Sequence, residues 1–255
     1  MKAISIALFY LLSCSLLWSQ EVTPDLSKQA DELYAQREDI SKAQAALDLY
    51  LKLTEQRPQN IDLRWKTSMA LYYIGHHLPK NKKKQRRQMH QRGLDQAKEC
   101  DKLAQGTRVE CVFWLATNLA LLKQDTGMLT MAFGIKDILK EFERALKLDP
   151  LYAGAGPYRM LGLLYYKAPG FLGGDEKKSF EYLEQAIKIA PNEPLNYLFL
   201  AKNYLDEKNH SKAQEIVNNA MTTIDAKKLN FYESKKAYED LKNFKQYGKW
   251  KSDRD

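Results

Sequence analysis

Few residues in this chain have both the type and the spacing to do chemistry. Cys100 and Cys111 could form a disulfide in an oxidising compartment, and Cys14 could carry a lipid. Of the four histidines, His76 and His77 are adjacent and point apart on a helix, while His90 and His210 stand alone. A metal would need a third ligand, and the spacing supplies none, so the reading is of no metal site. The glycines of Gly154-Ala155-Gly156 precede Pro157 and Tyr158, without the Lys and Ser or Thr that a phosphate-cradling loop requires. HExxH and GxSxG are absent, and the carboxylates alternate with lysines, the pattern of a solvated helix face. These observations predict a protein that is not an enzyme and needs no cofactor. Two segments remain as binding chemistry. Residues 80–87, KNKKKQRR, concentrate positive charge, either as a solvated loop entering a helix or as a contact for an anionic surface. Residues Pro169, Gly170, Phe171, Leu172, Gly173, Gly174 and Asp175 set two apolar side chains in a turn bounded by glycines. Phe171 and Leu172 either tuck under that turn or are offered to a partner.

The amino terminus bounds where this chemistry would operate. Met1 and Lys2 precede an apolar run from Ala3 to Trp18, and the chain turns polar at Ser19. One positive charge, a short apolar stretch and a small residue at the exit make residues 1–19 a signal peptide. The run is shorter than the roughly 20 residues a membrane-spanning helix needs. Two processing routes fit. Ser19 suits an ordinary cut before Gln20, whereas Leu11-Leu12-Ser13-Cys14 resembles a lipobox, in which Cys14 would anchor the protein to the bacterial envelope. Either route predicts a periplasmic or secreted protein. Its net charge of +8 then points away from nucleic acid and toward anionic lipid, cell-wall polymer or an acidic protein partner.

The elements that must position these groups show themselves as repeats. ALKLDP at 145–150 returns as AIKIAP at 186–191 and, frayed, as AMTTID at 220–225. The later spacing is about 34 residues, the period of a tetratricopeptide helix-turn-helix. Small residues such as Ala97, Ala145, Ala186, Ala201, Ala213 and Ala220 mark close helix contacts, with Trp65, Tyr72, Trp114, Tyr165 and Tyr197 filling the grooves. The predicted fold is all-α: a tetratricopeptide-like helical-repeat solenoid of five helix pairs over 20–225. A capping helix and basic tail follow over 226–255, since solenoids need a covered end. Cys100 and Cys111 lie equally far from the turn at Gln105 and Gly106, so they face each other as a disulfide or as two buried thiols. Residues 76–84, 123–130 and 167–175 read as enlarged connections within three units, and such insertions emerge on one, often functional, edge.

Residues 156–162 (GPYRMLG), 168–175 (APGFLGGD) and 195–201 (LNYLFLA), with 113–116 and 139–150, resemble the T component associated with TRAP transporters, the TatT family. The architecture is also similar to the microtubule-dynamics regulator family. The TatT resemblance implies a periplasmic, typically lipid-anchored helical-repeat protein with a channel or cavity through the stack, bound to a TRAP-type solute-binding protein. In that setting Cys14 would be the lipidated residue. The alternative is a general cell-envelope assembly adaptor that binds other proteins or anionic envelope surfaces.

Overall fold

The computed structural model describes residues 25–247. The signal peptide, Cys14 and the end of the basic tail lie outside the described residues. Within them the chain forms eleven α-helices and two short 3-10 turns. They are α1 (Leu26–Ala35), α2 (Ile40–Gln56), α3 (Ile61–His77), α4 (Lys83–Leu103), α5 (Val109–Thr126), α6 (Met128–Leu148), α7 (Tyr152–Lys167), α8 (Glu176–Ile189), α9 (Pro194–Asp206), α10 (His210–Thr223) and α11 (Tyr232–Tyr247). The helices start where side-chain oxygens can take the free backbone N–H groups. Asp25, Asp39, Asn60, Asp175 and Asn209 each accept such a bond at a helix N-terminus. The architecture is the helical-repeat solenoid expected from the sequence, five pairs followed by α11, which buries Ala237, Leu241 and Phe244 against the last pair.

Packing follows the small residues. Ala46, Ala97, Ala116, Ala145, Ala186, Ala201, Ala213 and Ala220 are fully buried. At Gly162 even a methyl group is excluded, because a Cβ there would sit 2.7 Å from Leu183 Cγ. Tyr50, Tyr197 and Phe142 fill the space that such close approach leaves around them. Cys100 on α4 and Cys111 on α5 are joined as a disulfide, with Cα atoms 5.4 Å apart. Among the described residues no helix is long and apolar enough to cross a membrane.

The three within-pair connections differ in kind. The second pair turns through residues 78–82, so His76, His77, Lys83 and Lys84 belong to helices. The third pair has no enlarged loop: Gly127 alone joins α5 to α6. Its φ of 142° lies in the region that favours glycine. The extra residues there became extra helical turns, and α6 runs for 21 residues. Only the fourth pair keeps a true insert, with a 3-10 turn at Gly170–Leu172 and Asp175 capping α8 through Lys178 N at 3.0 Å.

Candidate functional site

The first helix of each pair (α1, α3, α5, α7 and α9) turns one stripe inward. On α3 the stripe is Trp65, Met69, Tyr72 and His76; on α5 it is Trp114, Thr117, Leu121 and Gln124; on α7 it is Met160, Leu163 and Lys167. Spacings of three and four residues keep each set on one helix face. Except for the more polar α1, these inner helices carry apolar residues round much of their circumference, since one face packs on its partner and another borders the interior. Together with Met131 and Ile135 of α6 and Glu233 of α11 they line a lumen of about 1410 Å³ that is open to solvent. Its wall is largely aromatic, Met and Leu, with Phe113, Tyr152 and Phe199 completing it.

The charged groups at the wall are held by other parts of the protein. Lys66 Nζ lies 2.8 and 2.7 Å from the two oxygens of Asp31, and Tyr50 Oη donates to the same carboxylate at 2.7 Å. Burial, with Asp31 alongside, pushes the Tyr50 phenol far up. Arg37, in the turn between α1 and α2, donates through both arms to Glu233 on α11, with Nε to Oε1 at 2.9 Å. A further bond reaches Tyr34 O at 3.1 Å, and Tyr73 Oη donates to Arg37 O at 2.7 Å. Burial opposes the guanidinium charge, but the Glu233 carboxylate outweighs it and leaves the Arg37 pKa raised. The first and last units of the solenoid therefore touch, across 196 residues of chain. His76 stacks on Tyr72 at 5.7 Å. Desolvation, then His77 and Arg86, push its imidazole down to about 4, so it faces the lumen uncharged at neutral pH.

The most constrained backbone on the wall opens α7. Ala153, Gly154 and Ala155 have φ of 51°, 64° and 61°, three successive left-handed residues. Arg159, one turn on, reaches back to Ala153 O at 3.1 Å and Gly154 O at 2.9 Å, and to Asn196 Oδ1 at 2.7 Å. Asn196 Nδ2 in turn donates to Gly154 O at 3.2 Å and Ala186 O at 3.1 Å. Burial pulls the Arg159 pKa down, partly offset by Glu193.

The fourth-pair insert divides its residues between wall and exterior. Pro169 and Leu172 border the lumen, and Leu172 packs on the core of α5 to α7. Phe171 stands out, 88 % exposed. Gly170 and Gly173 flank it with open space, and Gly174 lets the chain pass close to Ala168 O. Lys80, Lys82, Lys83 and Lys84, in and just after the second-pair connection, are exposed. Among the described residues no group of three His, Cys, Asp or Glu side chains is placed to hold a metal ion. Sequence reasoning assigned Trp65, Tyr72 and Trp114 to packing alone, because core and lumen stripes share one spacing. The signal that separates them is the apolar circumference of α3 and α5, against the one-sided stripes of α6 and α8.

Comparison with known proteins bears on the fold and the family. The family model described as RMD1-3, regulator of microtubule dynamics protein 1-3, matches residues 26–169. Among solved structures the chain is similar to TTC0263, a thermophilic TPR protein of Thermus thermophilus. The identity is 18 %, the TM-score 0.62, and the match covers 84 % of this chain and 98 % of that one. A crystal structure of MamA is 19 % identical over 74 % of this chain and 92 % of its own, with a TM-score of 0.48. MamA residues 41 to the end from Desulfovibrio magneticus RS-1 give 19 %, 78 %, 95 % and 0.49 in the same order. No curated protein matches the chain. At these identities the likeness to TTC0263 establishes the tetratricopeptide-type solenoid and nothing finer.

Proposed function

The chain belongs to the regulator of microtubule dynamics protein 1-3 family, matched over residues 26–169, and from that premise we propose an exported helical-repeat scaffold that binds a protein partner and holds an elongated apolar ligand in its lumen. Tetratricopeptide-type folds serve protein–protein interaction, and that broad role is what the fold supports. The lumen carries the rest. Its volume of about 1410 Å³ exceeds the roughly 300–1,000 Å³ of ordinary small-molecule sites. Lys66 and Arg37 on its wall already hold Asp31 and Glu233. Recognition inside is thus apolar, suited to a lipid-sized chain, and no residue constellation for catalysis is proposed. The family's description concerns microtubule dynamics in the proteins that bear it; the present reading rests on the lumen and on the expected leader at 1–19.

For the protein partner, the resemblance of 156–162 and 168–175 to the TatT family favours a TRAP-type periplasmic solute-binding protein, with lipidation of Cys14 holding the complex at the envelope. The competing reading is an envelope assembly adaptor with other partners. The test is purification of the full chain from an exporting host, followed by native mass spectrometry and organic extraction. One apolar molecule per chain, displaced by Leu121→Arg or Leu163→Arg in a still-helical protein, is the expected result. A chain that arrives empty and takes up neither added fatty acid nor phospholipid removes the lumen reading. Recovery of a solute-binding protein in the same preparation supports the TRAP association, and recovery of other envelope proteins supports the adaptor.

A further inference from the structure

The within-pair connections of the second, third and fourth units leave the stack on one edge, where, beside Asp175, which caps α8 and pairs with Lys178, two kinds of side chain stand out. One kind is cationic. Lys80, Lys82, Lys83 and Lys84 are exposed, and residues 78–94 contain no Asp or Glu. The nearby carboxylate of Asp125 is already taken by Arg86, whose Nε lies 3.0 Å from it. The other kind is apolar. Met128, Leu129 and Phe133 on the first turns of α6 are 89 %, 75 % and 84 % exposed, and Phe171 on the insert is 88 % exposed. Eight large apolar side chains are exposed among the described residues, and half of them stand here.

The two sets are contiguous. Arg87 Nη1 donates to Asp125 O at 3.3 Å, tying the start of α4 to the end of α5 just before Gly127 and Met128. Met131 and Leu172 pack on one core, and Met128, Pro169 and Leu172 line the same lumen. Protein–protein interfaces are depleted of lysine at their centres and use flat, close-packed apolar cores. Single Met, Leu and Phe side chains projecting from a lysine-rich surface instead match what lies at a bilayer boundary. There apolar groups enter the headgroup region and lysines meet lipid phosphates.

We propose that this edge docks on an anionic lipid bilayer, with Met128, Leu129, Phe133 and Phe171 entering the headgroup layer and Lys80 and Lys82–Lys84 holding lipid phosphates. The inference does not depend on what the lumen holds, although docking brings residues that line the lumen, Met128 among them, to the lipid.

Residues 3–18 are apolar and would bring the full chain to any membrane, so the readout must be local. Amide hydrogen exchange is followed on the full chain with vesicles of phosphatidylcholine alone and with about one third phosphatidylglycerol. The expected result is slowed exchange at 80–83, 127–133 and 170–174 with the anionic vesicles only, reversed by raised salt. Lys82→Gln with Lys83→Gln and Lys84→Gln should weaken that protection by on the order of a hundredfold in lipid concentration. Met128→Ser, Leu129→Ser, Phe133→Ser and Phe171→Ser together should abolish it while flotation through the leader persists; all four sites are exposed, and circular dichroism checks the fold. Absence of protection with anionic vesicles, or equal protection by both lipids, overturns the proposal. Protection conferred only by a co-purifying protein also overturns it and makes the edge a protein interface.

Discussion

Replacing Ala153 with glycine should stabilise this protein, although the same change in an ordinary helix costs about 1 kcal/mol. Ala153 has φ 51° and ψ 41° and lies at the surface. A left-handed alanine carries roughly 1–2 kcal/mol of steric cost, which glycine removes. The greater freedom of glycine in the unfolded chain returns roughly 0.5–1 kcal/mol of that gain. The net expectation is a gain of about 0.5–1 kcal/mol, or roughly 1–4 °C in melting temperature for a chain of this size. Arg159→Ala probes the same turn from the other side. It strips the guanidinium donors from Ala153 O, Gly154 O and the buried Asn196 Oδ1, while Gly154 O keeps its bond from Asn196 Nδ2. Loss of three such bonds, set against relief of a buried charge, should cost about 2–4 kcal/mol. Urea unfolding of both single variants and the double variant reads the coupling. If Arg159 acts by pinning the left-handed turn, Ala153→Gly should gain less in the Arg159→Ala background than alone, because an unpinned turn can relax and leaves glycine less strain to relieve. A destabilising Ala153→Gly would refute the argument, because it would mean that residues 153–155 are ordinary helix.

Three further outcomes are expected. Arg37→Ala removes the bond to Glu233 and should cost about 2 kcal/mol, discounted because Glu233 is partly exposed; small-angle scattering should show a larger radius, and an unchanged radius would remove the idea that the ends are held. Reduction of the Cys100–Cys111 disulfide, or its replacement by two serines, should cost about 2–3 kcal/mol for so short a loop, read as a lower melting temperature with reductant and none in the serine variant. His90 is fully buried, with Nε2 3.5 Å from Asp125 Oδ2. Desolvation lowers its pKa; Asp125 and Asn118 oppose that lowering, and Arg86 adds to it. With His76, pushed down to about 4, it binds fewer protons folded than unfolded. Stability is therefore full above the ordinary imidazole range and falls as pH drops from about 6.5 toward 4. His90→Gln should flatten part of that slope in melts between pH 4 and 7.5, and an unaltered slope would show that His90 does not contribute.

The solenoid was legible because its packing is written locally. The alanines at 145, 186 and 220 and the prolines at 150 and 191 mark the same place in successive units, although the first interval is longer than the second, and each unit contacts mainly its neighbours. The end of the repeat was less so: α11 begins at Tyr232, after Leu229 is already buried in the preceding turn. In sequence the third connection reads as a loop, yet a single glycine, Gly127, reverses the two long helices there and lets the surplus residues stay helical. Polarity alone gave no sign of that. The insert at 169–175 reads as a bend from its proline and glycines, and the chain turns there. Its two apolar side chains could not be told apart in sequence, yet one is core and the other stands in solvent. The lumen was not derivable from residue spacing, since Trp65, Tyr72 and Trp114 obey the same rule whether they meet a helix or an empty interior. Arg37 and Glu233 belong to the least legible class, a pair set by the curvature of the whole array.

That pair also bears on how the molecule comes apart. A linear array of repeats is stabilised by neighbours only, so its terminal units fray first and the interior outlasts them. Here α1 and α11 are the terminal helices, and the Arg37–Glu233 bond makes each the other's neighbour. Opening either end then exposes the other, which raises the local unfolding free energy of both toward that of the middle. The array gains a cooperative, near all-or-none transition. In return its folding must wait for one contact between residues almost the whole length of the described chain apart, the kind that slows folding.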